Sequence, residues 1–345
     1  MELSIVNSLP EEPWRQFVAQ HPAGTVFHTP EMFEVFNRTK GYCPQLWAAV
    51  QDEQVLALFI PVQITLVDGI FHSITTRAVV YGSPLCAPGS EGNEALKLLL
   101  QSYTQHVQGE PLFTEIRNIF DLQELQPTLR ECGFVFEEHL NYWIELDRSE
   151  EIIWRNLSKK TRQHIHKARG SGLEIEDMRD SKELMTAYRL LACVYNRINV
   201  PLADISLFSS AFDILLSKGM MKAFLVRKRG RCIGFNAFLL YKDRIYDWFR
   251  ASERDYAECQ TESLLLWEIL QWGRINHYRV FDFGGAGRPN KPYGPRIFKS
   301  RWGGKLVNFG RNTYTHSATR LAISRIGYQM TRIFMFRKRI SGKDW

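Results

Sequence analysis

The 345-residue chain is 45% hydrophobic and 13% aromatic, with 23% charged residues. That supplies a large core, suggests two domains by length and excludes bulk disorder. The net charge of +7 sits entirely in residues 311–345, where eight basic side chains face one acid; the first 310 residues are neutral, which argues against nucleic-acid binding by the whole chain.

Residues 1–14 hold acids and prolines where a signal peptide would need a basic and then an apolar stretch. The longest apolar run, 55–62, is strand-sized and contains Pro61, far short of a membrane span. Six scattered cysteines without a C-x-x-C pair argue against a zinc ribbon or a disulfide scaffold. Reduced thiols in a cytoplasmic protein are the simplest reading.

In chain order, helices are expected at 14–20 and 30–40. Strands follow at 45–50, 55–66 and 70–80, with turns at Asp52-Glu53 and Asp68-Gly69. A helix at 93–107, a strand at 112–117, a short helix at 122–132 and a strand at 135–146 complete the first half. The second half repeats the order. Helices at 150–169, 181–198 and 206–217 precede strands at 221–228, 232–240 and 244–250. A helix at 261–276 and strands at 279–283 and 305–311 follow, then a tail helix at 318–339. The repetition suggests a duplicated domain. Each half reads as mixed α/β, with a helical crossover that favours one parallel pair inside an otherwise antiparallel sheet. This is the layout of the GNAT acyltransferase fold, by fold-level analogy. The expected domains are 1–148, 149–315, and a basic amphipathic helix at 316–345.

Two segments carry more specific information. One is Trp154-Arg155-Asn156-Leu157-Ser158-Lys159-Lys160-Thr161-Arg162-Gln163-His164-Ile165-His166-Lys167-Ala168-Arg169, followed by Gly172. The other runs Phe281-Asp282-Phe283-Gly284-Gly285, Tyr293-Gly294, Phe298-Lys299 and Trp302-Gly303-Gly304. Together they resemble the FemABX family of tandem GNAT-like domains, whose characterised members transfer an amino acid from aminoacyl-tRNA to a peptidoglycan precursor. The likeness is nearer to a branch linked to exopolysaccharide and envelope operons. Three features depart from the family. No coiled-coil insertion is present, Trp302 replaces a phenylalanine, and Tyr256-Ala257-Glu258-Cys259-Gln260 stands where an acyl-CoA pyrophosphate loop would be.

The resemblance implies an acyltransferase that forms an amide on an envelope glycan or peptide precursor. The donor is a co-substrate, aminoacyl-tRNA or acyl-CoA, and no cofactor or metal is held permanently. It places Lys299 near the donor ester, where an ammonium would stabilise the oxyanion of acyl transfer; a solvated surface lysine is the alternative. Tyr293 is read as a hydrogen-bonding or proton-shuttling group, or as a packed aromatic. Asp282 orients the amine, holds Lys299, or caps turn amides. Gly285 and Phe298 complete the motif as substrate contacts.

Lys160, Arg162 and Arg169 belong to an acid-free stretch with six basic residues, which points to an anionic partner such as diphosphate or tRNA, or to an ordinary solvated helix face. Arg250 ends its strand facing a cleft or a neighbouring acid such as Glu253. His164 and His166 fall on different helix faces, against a metal site. In the tail, Ile323, Ile326, Met330 and Ile333 form an apolar stripe. It docks on the N-terminal domain or lies on an anionic membrane, which would place the protein at the inner face of the membrane. Two other readings are an acyl-CoA N-acyltransferase acting on a soluble amino sugar and a non-catalytic envelope-assembly module.

Overall fold

The structure, a computed structural model, describes residues 3–67, 69, 72–107 and 110–327. The chain divides into two compact units, each assembled from separate stretches. Unit 1 gathers residues 1–14, 41–137 and the chain from 311 onward; unit 2 gathers 15–40 and 138–310.

Unit 1 holds two sheets among the described residues. One is four-stranded, in the order β1 (Ser4–Val6), β3 (Trp47–Gln51), β4 (Gln54–Phe59), β7 (Leu85–Cys86). The other is six-stranded, in the order β2 (Tyr42–Pro44), β5 (Pro61–Thr65), β6 (Thr76–Tyr81), β8 (Phe113–Arg117), β17 (Arg311–Thr315), β9 (Val135–Glu137). The apolar run predicted as one strand is therefore two, in different sheets. Pro61 lacks an N–H and opens the second of them, a position that strands tolerate. β6 and β8 form the parallel pair. Helix α4 (Ser90–His106) buries Leu96, Leu99, Leu100 and Tyr103, and the unit also carries short α3 (His72–Thr75) and α5 (Gln126–Glu131).

Unit 2 contains one seven-stranded sheet among the described residues: β11 (Glu174–Asp177), β12 (Met221–Lys228), β13 (Arg231–Tyr241), β14 (Arg244–Ser252), β15 (Val280–Gly287), β10 (Leu140–Glu145), β16 (Lys305–Asn308). Only β14 and β15 pair in parallel. One face carries Phe238, Ile245 and Phe281 against Leu265, Trp267 and Ile269 of α10 (Thr261–Ile275) and Ile165 of α7 (Lys159–Arg169). A Cβ on Gly273 of α10 would stand 2.5 Å from Ile245 Cδ1, so glycine permits this close approach. The other face carries Phe249 against Phe208 of α9 (Ile205–Ala211) and Tyr195 of α8 (Leu184–Ile198). Short α6 (Glu150–Asn156) and α11 (Gly294–Ser300) complete the unit with α2 (Pro30–Asn37); α1 (Glu11–Gln20) straddles the boundary.

The boundaries expected at 148/149 and 315/316 differ from this division for identifiable reasons. The predicted strand 135–146 is two strands: β9 pairs with β17 in unit 1, whereas β10 pairs with β15 and β16 in unit 2. The predicted strand 305–311 is likewise β16 in unit 2 and the start of β17 in unit 1, separated by Gly310 at φ +67°. Residues 15–40 join unit 2 because buried Glu31 pairs with both Arg15 and Lys218 (2.9 Å to Lys218). Two cations holding one desolvated carboxylate keep it ionised and lower its pKa in spite of burial.

In the tail, residues 318–327 are helical and Arg320 Nη1 donates to Ser73 O at 3.2 Å. Ile323 and Ile326 are 52% and 59% exposed, so the described part of the expected stripe is not buried. Met330 and Ile333 lie outside the described residues. No helix among the described residues is long and apolar enough to cross a membrane.

Asn312 anchors β17. It is fully buried, accepts from Asn118 Nδ2 (2.8 Å) and donates to Gln126 Oε1 (2.8 Å). Asn312→Ala should cost about 1–3 kcal/mol by leaving those groups unsatisfied. Amide exchange in β8 and β9 should accelerate while β13 is unaffected.

Candidate active site

β14 and β15 pair for only three residues, from Arg244 with Val280 to Tyr246 with Asp282. Beyond that point β14 continues along β13 to Ser252, and β15 continues along β10 to Gly287. A bulge at Trp248, where Asp247 faces Phe238 but Phe249 faces Ala237, turns β14 as the two strands part. The carbonyls of β15 on this side lose their ladder partners and need others.

Lys299 supplies them. It comes from α11, is 6% exposed, and donates from Nζ to Phe283 O (2.6 Å), Gly284 O (3.1 Å) and Gly285 O (2.8 Å). Successive carbonyls of an extended strand alternate in direction; Gly284 at φ +69° breaks the alternation, so all three reach one ammonium. An ammonium has three donors, and here all three are spent. Burial lowers its pKa to about 8, with Asp247 opposing the shift and Arg250 adding to it. The oxyanion role expected for Lys299 therefore has no free donor in this arrangement; the residue brackets the divergent strand.

Asp282 is 2% exposed and its Oδ1 accepts from Gly284 N (2.7 Å) and Asn141 Nδ2 (2.9 Å). Of its three readings, the capping of turn amides is the one these bonds match. Burial raises its pKa. Gly285 contributes its carbonyl to Lys299. Phe298 lies under Arg250, whose guanidinium is 5.0 Å from the ring centroid.

Arg250 pairs with an acid, as one reading of the sequence held, but the acid is Asp247 (Nη2–Oδ2, 3.0 Å) rather than Glu253. The Asp247 side chain is 5% exposed. Burial raises its pKa, against the lowering influence of Arg250 and Lys299. Each partner keeps a free atom, since Asp247 Oδ1 and Arg250 Nη1 are buried and have no hydrogen-bond partner. Directly across from Arg250 on β13 stands Asn236, fully buried, with both side-chain polar atoms unpaired. Orphaned polar atoms in one buried cluster are costly, and native proteins retain them chiefly where function requires it.

The sequence did not single out Asp247 or Asn236. A signal was present, because Asp247 is the only acid in the apolar strand 245–249 and Asn236 the only such polar side chain in 233–240. The remaining predicted residues lie elsewhere. Tyr293, 42% exposed, precedes α11 with its ring against Gly287. The predicted helix 150–169 breaks into α6 and α7, because Ser158 caps α7 through Thr161 N (3.1 Å). Arg162 caps the end of α6, donating to Leu157 O (2.6 Å) and Arg155 O (3.1 Å), which accounts for its charge without a substrate. Lys160 and Arg169 are exposed on α7. The paired glycines of the motif are steric: a Cβ on Gly303, at φ +70°, would lie 2.3 Å from Asn156 O, and one on Gly304 2.6 Å from Trp143 O.

Residues 155–293, which lie within unit 2, match the family model described as an acetyltransferase (GNAT) domain. Among solved structures, the fold is similar to that of FemX, with a TM-score of 0.69 and 15% identity over 91% of this chain and 97% of that one. It is also similar to a tandem GNAT protein from the clavulanic acid biosynthesis pathway (TM-score 0.60, 12% identity, 92% and 99% covered). A third is L-PGS from Bacillus licheniformis (TM-score 0.59, 14% identity, 92% and 97% covered). The mixed α/β, tandem GNAT-like architecture read from the sequence is thus the one the chain adopts. No curated protein matches the sequence.

Lys299→Met should destabilise unit 2 at pH 7, because three orphaned carbonyls, at about 1–3 kcal/mol each, outweigh relief of the buried charge. The lowered pKa means that the folded protein gives up this proton more readily than the unfolded chain. Stability from this group is reduced below pH 8 and recovers as pH rises toward 10.5. The gap between wild type and variant should therefore widen from pH 8 to 10.5 in urea titrations; a narrowing gap would contradict the lowered pKa of Lys299.

Proposed function

We propose that unit 2 catalyses acyl transfer to an amine at the divergence of β14 and β15, with Asp247 and Arg250 as the reacting pair. The observation that carries this reading is the buried pair in which one carboxylate oxygen and one guanidinium N–H are left without partners. Acyl transfer needs a proton acceptor for the attacking amine and a donor for the oxyanion of the tetrahedral intermediate. Asp247 Oδ1 fills the first role, and its raised pKa makes it a better base than a solvated carboxylate. Arg250 Nη1 fills the second. The amine nitrogen bonds to the donor carbonyl carbon, the ester oxygen or thioester sulfur leaves, and the amine proton passes to Asp247 and then to the leaving group. Asn236, with an amide donor and an acceptor free, orients the acyl group.

The FemABX-like motifs, together with the likeness to the FemX fold, favour an aminoacyl donor and an acceptor amine on a cell-envelope precursor, peptidoglycan-like or exopolysaccharide-like. The acetyltransferase description of the matched domain favours acyl-CoA and a soluble amino sugar. Purified protein offered labelled aminoacyl-tRNA and labelled acyl-CoA in parallel, with peptide and amino-sugar acceptors, separates these readings by which label appears in the amide.

Asp247→Asn should lower kcat by about 10²–10⁴-fold with KM little changed, and should abolish the acidic limb of the pH–rate profile. In the wild type that limb should lie above the ordinary carboxylate range, because burial raises the Asp247 pKa. Full activity in the variant would remove Asp247 from the mechanism.

A further inference from the structure

At the far end of α10 from the divergence of β14 and β15, unit 2 has a hollow of about 490 Å³. Trp272, on the last turn of α10, forms part of its wall. Glu262, on the first turn, instead accepts from Ser252 Oγ (2.9 Å), two residues past Arg250 on β14. The ten residues of helix between them span about 15 Å.

The floor of the hollow is apolar, with Met178, Met221 and Leu240 all buried. The half-buried rings of Trp272 and Tyr278 stand 5.4 Å apart, tilted by 30°, and make an aromatic wall. Three ionised side chains line the hollow, Asp177, Arg179 and Lys222, for a net charge of +1. Asp177 and Lys222 pair with each other (2.8 Å), and the Lys222 ammonium lies 4.8 Å from the Trp272 ring centroid. Those two charges are therefore engaged within the wall. Arg179 is exposed and has no ion pair among the described residues.

A concave apolar surface left to water is unfavourable, and a ligand with an apolar body relieves it. The free guanidinium selects what that body carries. Its planar fork of N–H donors matches the two oxygens of a carboxylate, and a net charge of +1 matches one carboxylate. A flat ring suits the wall, because offset and edge-on aromatic contacts add to the burial of area. The two methionines of the floor adapt to its outline.

We infer that this hollow binds an aryl monocarboxylate, with the ring on Trp272 and Tyr278 and the carboxylate on Arg179. The inference stands on shape and charge and does not depend on the acyl-transfer reading. Its occupant lies away from Asp247 and Arg250, and is a ligand additional to the reacting groups.

The test is calorimetric titration of the full chain with 3-phenylpropionate, with its uncharged amide and with acetate. The aryl acid should bind saturably, and the amide and acetate should each bind about tenfold or more weakly. Arg179→Gln should weaken binding of the acid by about tenfold and leave the amide unchanged. Its melting temperature should not move, because the side chain is exposed. Lys167→Gln, on α7 and outside the lining, should leave binding intact. Asp247→Asn should also leave it intact while losing transfer, which separates failure of this site from failure of the reaction. The inference is overturned if the aryl acid does not saturate, if the amide or acetate binds as well as the acid, if Arg179→Gln binds the acid unchanged, or if binding is lost with Lys167→Gln or Asp247→Asn.

Discussion

The parallel pairing of β14 and β15 lasts three residues, and the arrangement of unit 2 around its site follows from what the chain does with the backbone released beyond it. A sheet that opens inside a packed unit exposes a row of carbonyls to an apolar interior. Here one lysine collects three of them, and one left-handed glycine makes them convergent. The bracket holds the divergence open without a continuing ladder. It also places a charge where burial disfavours charge, which is why the lysine pKa falls; the same burial raises the pKa of Asp247 nearby.

That economy distinguishes the polar groups that support the fold from those free to react. Lys299 is saturated with backbone partners, while Arg162 Nη1 and Asp282 Oδ1 hold neighbouring backbone and side-chain groups in place. Asp247 and Asn236 are buried and Arg250 half-buried, and each keeps a buried polar atom without a hydrogen-bond partner, as does Asp282 at Oδ2, so these atoms keep the capacity to bind. Two basic residues prominent in the sequence, Lys299 and Arg162, thus hold backbone carbonyls, and a quiet acid inside an apolar strand, Asp247, keeps an oxygen without a partner.

The two units share one design: a mostly antiparallel sheet with a single parallel pair, β6 with β8 in unit 1 and β14 with β15 in unit 2. In unit 1 the parallel pair ends at Tyr81 and Arg117, with the guanidinium 5.3 Å from the ring centroid. The chain also returns to unit 1 at its end, where β17 inserts between β8 and β9. Unit 1 is therefore completed only after unit 2 has been synthesised.

The sequence by itself determined the alternation of strands and helices, the duplicated mixed α/β order and the single parallel pair per half, because these follow from local periodicity and from the length of the crossovers. It also located the segment around Phe298-Lys299. Only the tertiary structure decided where the units divide, since runs such as 135–146 and 305–311 look continuous while their hydrogen-bond partners lie in different sheets. The same holds for the roles of Lys299, Asp282 and Arg162. A charged side chain in a sequence carries no record of whether its donors and acceptors will be used up by backbone, and that count, made in space, separates a bracket from a catalyst.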